Sequence, residues 1–171
     1  NSRKRYRLIE PRLLNIMTQT AFPPSSHPTG LHFFKRNPHP KKEHHSDCGT
    51  RAICLTFDLP YNKVWKAATE AIRDTTPKWR YCSDITWRST KATANGGITR
   101  RAMTHALYNL NIFDWKFTKL ENTMFLKGNF PDNCIAELAT HYVAIKNGAI
   151  LDSWDCRGKR PKKLIGYWSK C

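Results

Sequence analysis

The sequence predicts an α+β fold in which N-terminal helices, one of them buried, pack on a small twisted antiparallel sheet. Three observations lead there. Between residues 46 and 110, apolar side chains recur at three- and four-residue steps, the period of a helix. After Asn111 they recur at every second position, the period of a strand. Asn147-Gly148 then separates two apolar runs, which is the signature of a tight hairpin. Helices grouped ahead of strands favour segregated layers over an alternating βαβ fold.

The elements follow in order. Residues 1–43 read as a basic, proline-rich segment, either an extended arm or a poorly ordered tail, holding six of the ten prolines and nine basic residues against Glu10 and Glu43. Proline removes backbone donors and interrupts regular structure. Phe22, Leu31, Phe33 and Phe34 are available to pin this arm to the domain. The domain itself is expected over 44–171. "SDCGTRAICLTFDL" starts a helix with Ser46 or Asp47 in the N-cap position. Ala52, Ile53, Cys54, Leu55 and Phe57 occupy more than one face, so this helix is expected to be buried. Val64, Trp65, Ala68, Ala71 and Ile72 mark a second, amphipathic helix starting near Tyr61 or Asn62. Residues 77–97 read as irregular loop. Ile98, Ala102, Met103, Ala106, Leu107 and Leu110 mark a third helix. Strands are expected in "DWKFTKL", "NCIAELA", the two arms of "HYVAIKNGAILDSWD", and "KKLIGYWS".

Composition narrows the function classes. The 171 residues, 40% of them apolar, can fill one sizeable core without a metal or disulfide staple. Twenty-nine basic residues against 13 acidic give a net charge of +16, which favours acidic partners. No apolar run approaches the ~18 residues of a membrane span. The basic N-terminus leads into polar sequence and not into the apolar core of a signal peptide. None of the six cysteines falls in a C-x-x-C pair. Reduced thiols and an intracellular location are therefore expected, with the cysteines left for chemistry.

Cys48 is the candidate nucleophile. A helix N-terminus favours the thiolate and offers unpaired N–H groups to an oxyanion. His141, near the start of a strand, is the candidate base. Asp152 lies across the Asn147-Gly148 turn. A tight turn sets it roughly opposite residue 143, one diagonal step from His141 and within reach on the same face. An aspartate there holds the imidazole's tautomer and steadies the imidazolium. Asp155 is the nearby substitute. Cys54 reads as core filler, and Arg51 as a surface ion-pair partner one turn after Cys48.

"DCGTRAI" and "HYVAIKNGAILDSWD" resemble the nucleophile helix and the histidine and acid strands of papain-like cysteine peptidases. The similarity is to compact phage-encoded and bacteriocin-processing branches. "DCGTRAI" also echoes the Asp-x-x-Cys-x-x-Arg-Ala opening of ovarian-tumour-type deubiquitinases, although here the aspartate is adjacent to the cysteine. The resemblance spans residues 44 to about 168. It implies a papain-like fold, a thiol hydrolase acting on a peptide or isopeptide bond, and the roles given above for Cys48, His141 and Asp152. It also implies phage encoding, and so the host cytoplasm or the virion. Such enzymes carry a glutamine shortly before the cysteine as an oxyanion donor. The only glutamine here is Gln19, far upstream, so His44, His45 or the backbone around Asp47, Cys48 and Gly49 must supply that support.

No cofactor is expected. His44 and His45 with Cys48 lack a second ligand pair for zinc, unless Cys134, Cys156 and His141 converge on them. The alternative reading is a basic binding protein on a papain-like fold without turnover. Its surface would include Arg3, Lys4, Arg5 and Arg7 at one end and Arg157, Lys159, Arg160, Lys162 and Lys163 at the other. No sequence-specific nucleic-acid motif accompanies these residues, so nonspecific nucleic acid, a virion component or an acidic host protein is the expected partner.

Overall fold

A computed structural model of the chain describes residues 31–41, 46–76, 97–127, 129–158 and 162–171. The described elements are β1 (His32–Lys35), α1 (Cys48–Phe57), α2 (Tyr61–Thr75), α3 (Arg100–Asn109), β2 (Trp115–Met124), a 3-10 turn at Phe125–Lys127, β3 (Asn133–Leu138), β4 (His141–Lys146), β5 (Ala149–Asp152) and β6 (Lys163–Lys170). The fold is α+β, with helices ahead of all but one of the strands. No helix among the described residues is long and apolar enough to cross a membrane.

The six strands form one sheet in the order β1-β5-β4-β3-β6-β2. All pairs are antiparallel except β1 with β5. The parallel edge strand differs from the expected all-antiparallel sheet, and it comes from the segment read as arm. "HFFK" carries no alternation to announce it. Its place is set by long-range backbone pairing, including His32 N–H to the Gly148 carbonyl at 3.1 Å and Arg36 N–H to the Asp152 carbonyl at 2.7 Å. Leu31, just before it, is buried. Phe22 lies outside the described residues, as does the loop expected at 77–97 apart from Gly97.

Strand alternation divides the core in two. On the helical face, Ile135, Tyr142 and Trp168 pack with Ile53, Val64, Ala68, Met103 and Leu107 from α1, α2 and α3. On the opposite face Cys134, Val143, Ile145, Ile150 and Leu164 pack with Leu31, Phe125 and Cys156. The helices take their bounds from local chemistry. Thr99 caps α3 by accepting from the Ala102 N–H at 3.2 Å. Asp58 ends α1 in the left-handed conformation. At the β4–β5 turn, Asn147 and Gly148 both have positive φ (50° and 73°), the pair of values a two-residue type I′ hairpin requires.

Candidate active site

That hairpin fixes the first half of the site. Its register pairs Lys146 with Ala149 and Ala144 with Leu151. One further step sets Asp152 opposite Val143, and His141 shares Val143's face because side chains alternate. The two side chains are therefore diagonal neighbours. His141 Nε2 and Asp152 Oδ2 lie 2.5 Å apart, with both side chains buried. Asp152 is held in turn, since its Oδ1 accepts from the Ser153 N–H at 2.7 Å. Asp155 instead binds the Arg157 guanidinium at 2.7 Å, on the surface.

The N-terminus of α1 supplies the second half. Cys48 is its first residue and is half-buried. The His141 side chain and the Tyr142 backbone lie close enough to act on its thiol. With Nε2 committed to Asp152, Nδ1 is the ring nitrogen left for the sulfur. Burial pushes the Cys48 thiol up, but the His141 hydrogen bond and charge, the Tyr142 backbone and the Arg51 charge together bring it below its ordinary value. Burial likewise pulls His141 down, and Asp152 and Cys48 outweigh it, raising the imidazole to about 9. Both shifts favour a thiolate–imidazolium pair.

Gly49 is buried, and a Cβ at that position would collide with Ile98 Cγ2. Asp47 is fully buried and points away from the helix end. Its Oδ1 pairs with the Arg51 guanidinium, and its Oδ2 accepts from the Tyr61 hydroxyl at 2.6 Å. Arg51 is 3% exposed. The expectation of a surface ion pair is thus corrected: α1 packs its polar first turn against α2 and the sheet, so the pair is interior. His44, His45 and Gln19 lie outside the described residues.

Sequence reasoning missed Tyr61 and Trp154. Trp154 lies against the His141 ring, tilted, with centroids 5.1 Å apart, and Lys162 Nζ sits 4.3 Å from the centroid of the Trp154 ring. The only signal in the sequence was an aromatic two residues beyond the candidate acid. The remaining cysteines among the described residues are free. Burial raises Cys54, Cys134 and Cys156 to about 12 each.

Among the described residues, His141, Asp152 and Cys156 are the ones that could hold a metal, with ligand atoms mutually within 4.8 Å. Cys134 does not join them. Ligands on one zinc ion stand roughly 3 Å or more apart given metal–ligand bonds of ~2.0–2.3 Å. The 2.5 Å contact between His141 and Asp152 suits a shared proton better than an ion. Protonation of Cys156 points the same way.

Of the basic cluster, Arg157 is engaged internally, bonding Asp155 and the Leu31 carbonyl (3.1 Å). Lys163 is exposed at the start of β6. Arg3, Lys4, Arg5, Arg7, Lys159 and Arg160 lie outside the described residues. Comparison with family models, curated proteins and solved structures gives no match to this chain.

Proposed function

We propose that this protein is a thiol-dependent hydrolase of papain-like design that cleaves a peptide or isopeptide bond. One observation carries the reading: Cys48 stands at the head of a helix with His141 close enough to lower its thiol, and His141 is bonded to Asp152. Nucleophile, base and orienting acid thus form one continuous line. The Cys48 thiolate attacks the carbonyl carbon. The oxyanion that forms is met by N–H groups of the first turn of α1. His141 gives a proton to the leaving amine as the C–N bond breaks, leaving a thioester on Cys48. Water then attacks the thioester with His141 taking its proton, which releases the acid and restores the thiol. Asp152 holds the ring and balances its charge throughout.

Dilute iodoacetamide near neutral pH tests this reading. Cys48 is expected to label ahead of the other five thiols, and a peptide-library digest is expected to require it, with no turnover by Cys48→Ala. Uniform labelling, or cleavage that survives the substitution, refutes the proposal. The net charge of +16 supports a second reading, a binding protein for nucleic acid or an acidic protein. Its affinity must fall steeply with salt, and salt-insensitive binding removes it.

A further inference from the structure

Aspartate is among the best N-cap residues because its carboxylate accepts the N–H groups of the second and third helical residues. In α1 those are Gly49 and Thr50. Asp47 stands at the N-cap, yet its side chain makes no capping bond. Both carboxylate oxygens are turned elsewhere, one to Arg51 and the other to Tyr61 at 2.6 Å. All three residues are buried, at 0%, 3% and 9% exposure. A buried ion pair of this kind is seldom favoured over apolar packing for stability alone. Thr50 Oγ1, on the same turn, is also buried and has no partner among the described residues.

We infer that Arg51 and Tyr61 are positioning residues for the nucleophile: they hold the Asp47 carboxylate off the first turn of α1, so that its N–H groups stay open to an oxyanion and no carboxylate lies against the Cys48 sulfur. The inference rests on reading Cys48 as the nucleophile. It also answers the missing glutamine, since the open turn supplies donors that a capped turn would not. Tyr61 is suited to the task. Burial and the adjacent Asp47 push its phenol above its ordinary value, so it remains a donor. Its ring is braced by His39, edge-on at 4.7 Å. When either donor is removed, the carboxylate is free to swing onto Gly49 and Thr50. There it occupies the oxyanion donors and brings a negative charge beside the thiolate.

The test is a rescue. Arg51→Met is expected to slow iodoacetamide labelling of Cys48 about tenfold at neutral pH and to raise its pH midpoint by about one unit. Adding Asp47→Ala is expected to return the rate to within about threefold of the parent, because the displaced carboxylate is gone. Tyr61→Phe, which keeps the ring, is the milder variant should Arg51→Met not fold. Its smaller slowing is expected to be reversed by Asp47→Asn. Thermal melts run alongside. If the second substitution gives no rescue, or if melting falls while the pH midpoint stays fixed, the three residues are merely structural and the inference is overturned. Should Cys48 in the parent protein lack preferential labelling, the hydrolase reading itself fails. A reactive parent without rescue overturns the positioning inference alone.

Discussion

Cys48 and Cys54 share one helix, the first half-buried and the second buried, and their chemistry is opposite. Cys54, inside the helical core, is raised to about 12 by burial and by the charge of Asp47. Cys48, at the head of the same helix, is lowered although burial is its largest single influence. The difference lies in the partners. Cys48 has an imidazolium, a backbone bond and a buried guanidinium beside it, and Cys54 has apolar side chains. Burial makes an unpaired thiol inert and leaves a paired one activated.

The largest expected effect erases that contrast. In His141→Ala the sulfur loses its main partner, so its pKa is expected to rise from its lowered position. Labelling of Cys48 near neutral pH is expected to fall about 100-fold, toward the unreactive state of Cys54, as mass spectrometry of the labelled sites reports. Retained reactivity means that the helix end alone activates the thiol. Asp152→Asn comes next. The ring loses the charge that steadies the imidazolium and the acceptor that fixes its tautomer, and peptide turnover is expected to fall at least tenfold. Asp155→Asn, which leaves the Nε2 bond intact, is expected to leave turnover unchanged.

The pH profile sharpens the same comparison. Hydrolysis is expected to rise as Cys48 ionises at its lowered pKa, and to fall through about 9 as His141 loses the proton that the leaving group needs. The stability sign follows. His141 is raised in the folded state from an ordinary 6.5, so its contribution is complete below 6.5 and is lost as the pH rises through about 9. Urea titrations of the parent and His141→Ala across pH 6 to 10 should converge at the alkaline end. Failure to converge places the coupling elsewhere.

Two smaller effects test the scaffold. Gly49→Ala forces a methyl into Ile98, costs about 1–3 kcal/mol, and displaces the turn that carries Cys48. Both melting and labelling are expected to fall. Arg100→Met removes the partly exposed pair with Glu137 at 2.7 Å. It leaves the buried Glu137 carboxylate without its guanidinium and is expected to cost about 1–3 kcal/mol, with Cys48 labelling untouched. A large change in labelling there would show that the two regions are coupled.

The hairpin half of the site was legible because its rules are local. Asn147-Gly148 fixes a type I′ turn, the turn fixes the register, and the register makes His141 and Asp152 neighbours. The helix half was legible only as a helix start. Nothing in the spacing of Asp47, Arg51 and Tyr61 says that the pair is interior or that a tyrosine from the next helix completes it, because burial depends on what packs against the first turn. The same limit hid β1. Four residues without alternation become a strand only when β5 offers its edge.

The sequence by itself determined the α+β class, the three described helices, the tight hairpin and the candidates for the site, because periodicity and turn chemistry act over a few neighbouring residues. Tertiary structure alone decided which thiol meets the imidazole, which carboxylate joins it, and that Asp47 turns inward to Arg51 and Tyr61. Those outcomes depend on contacts between segments far apart in the chain, and no local preference encodes such contacts.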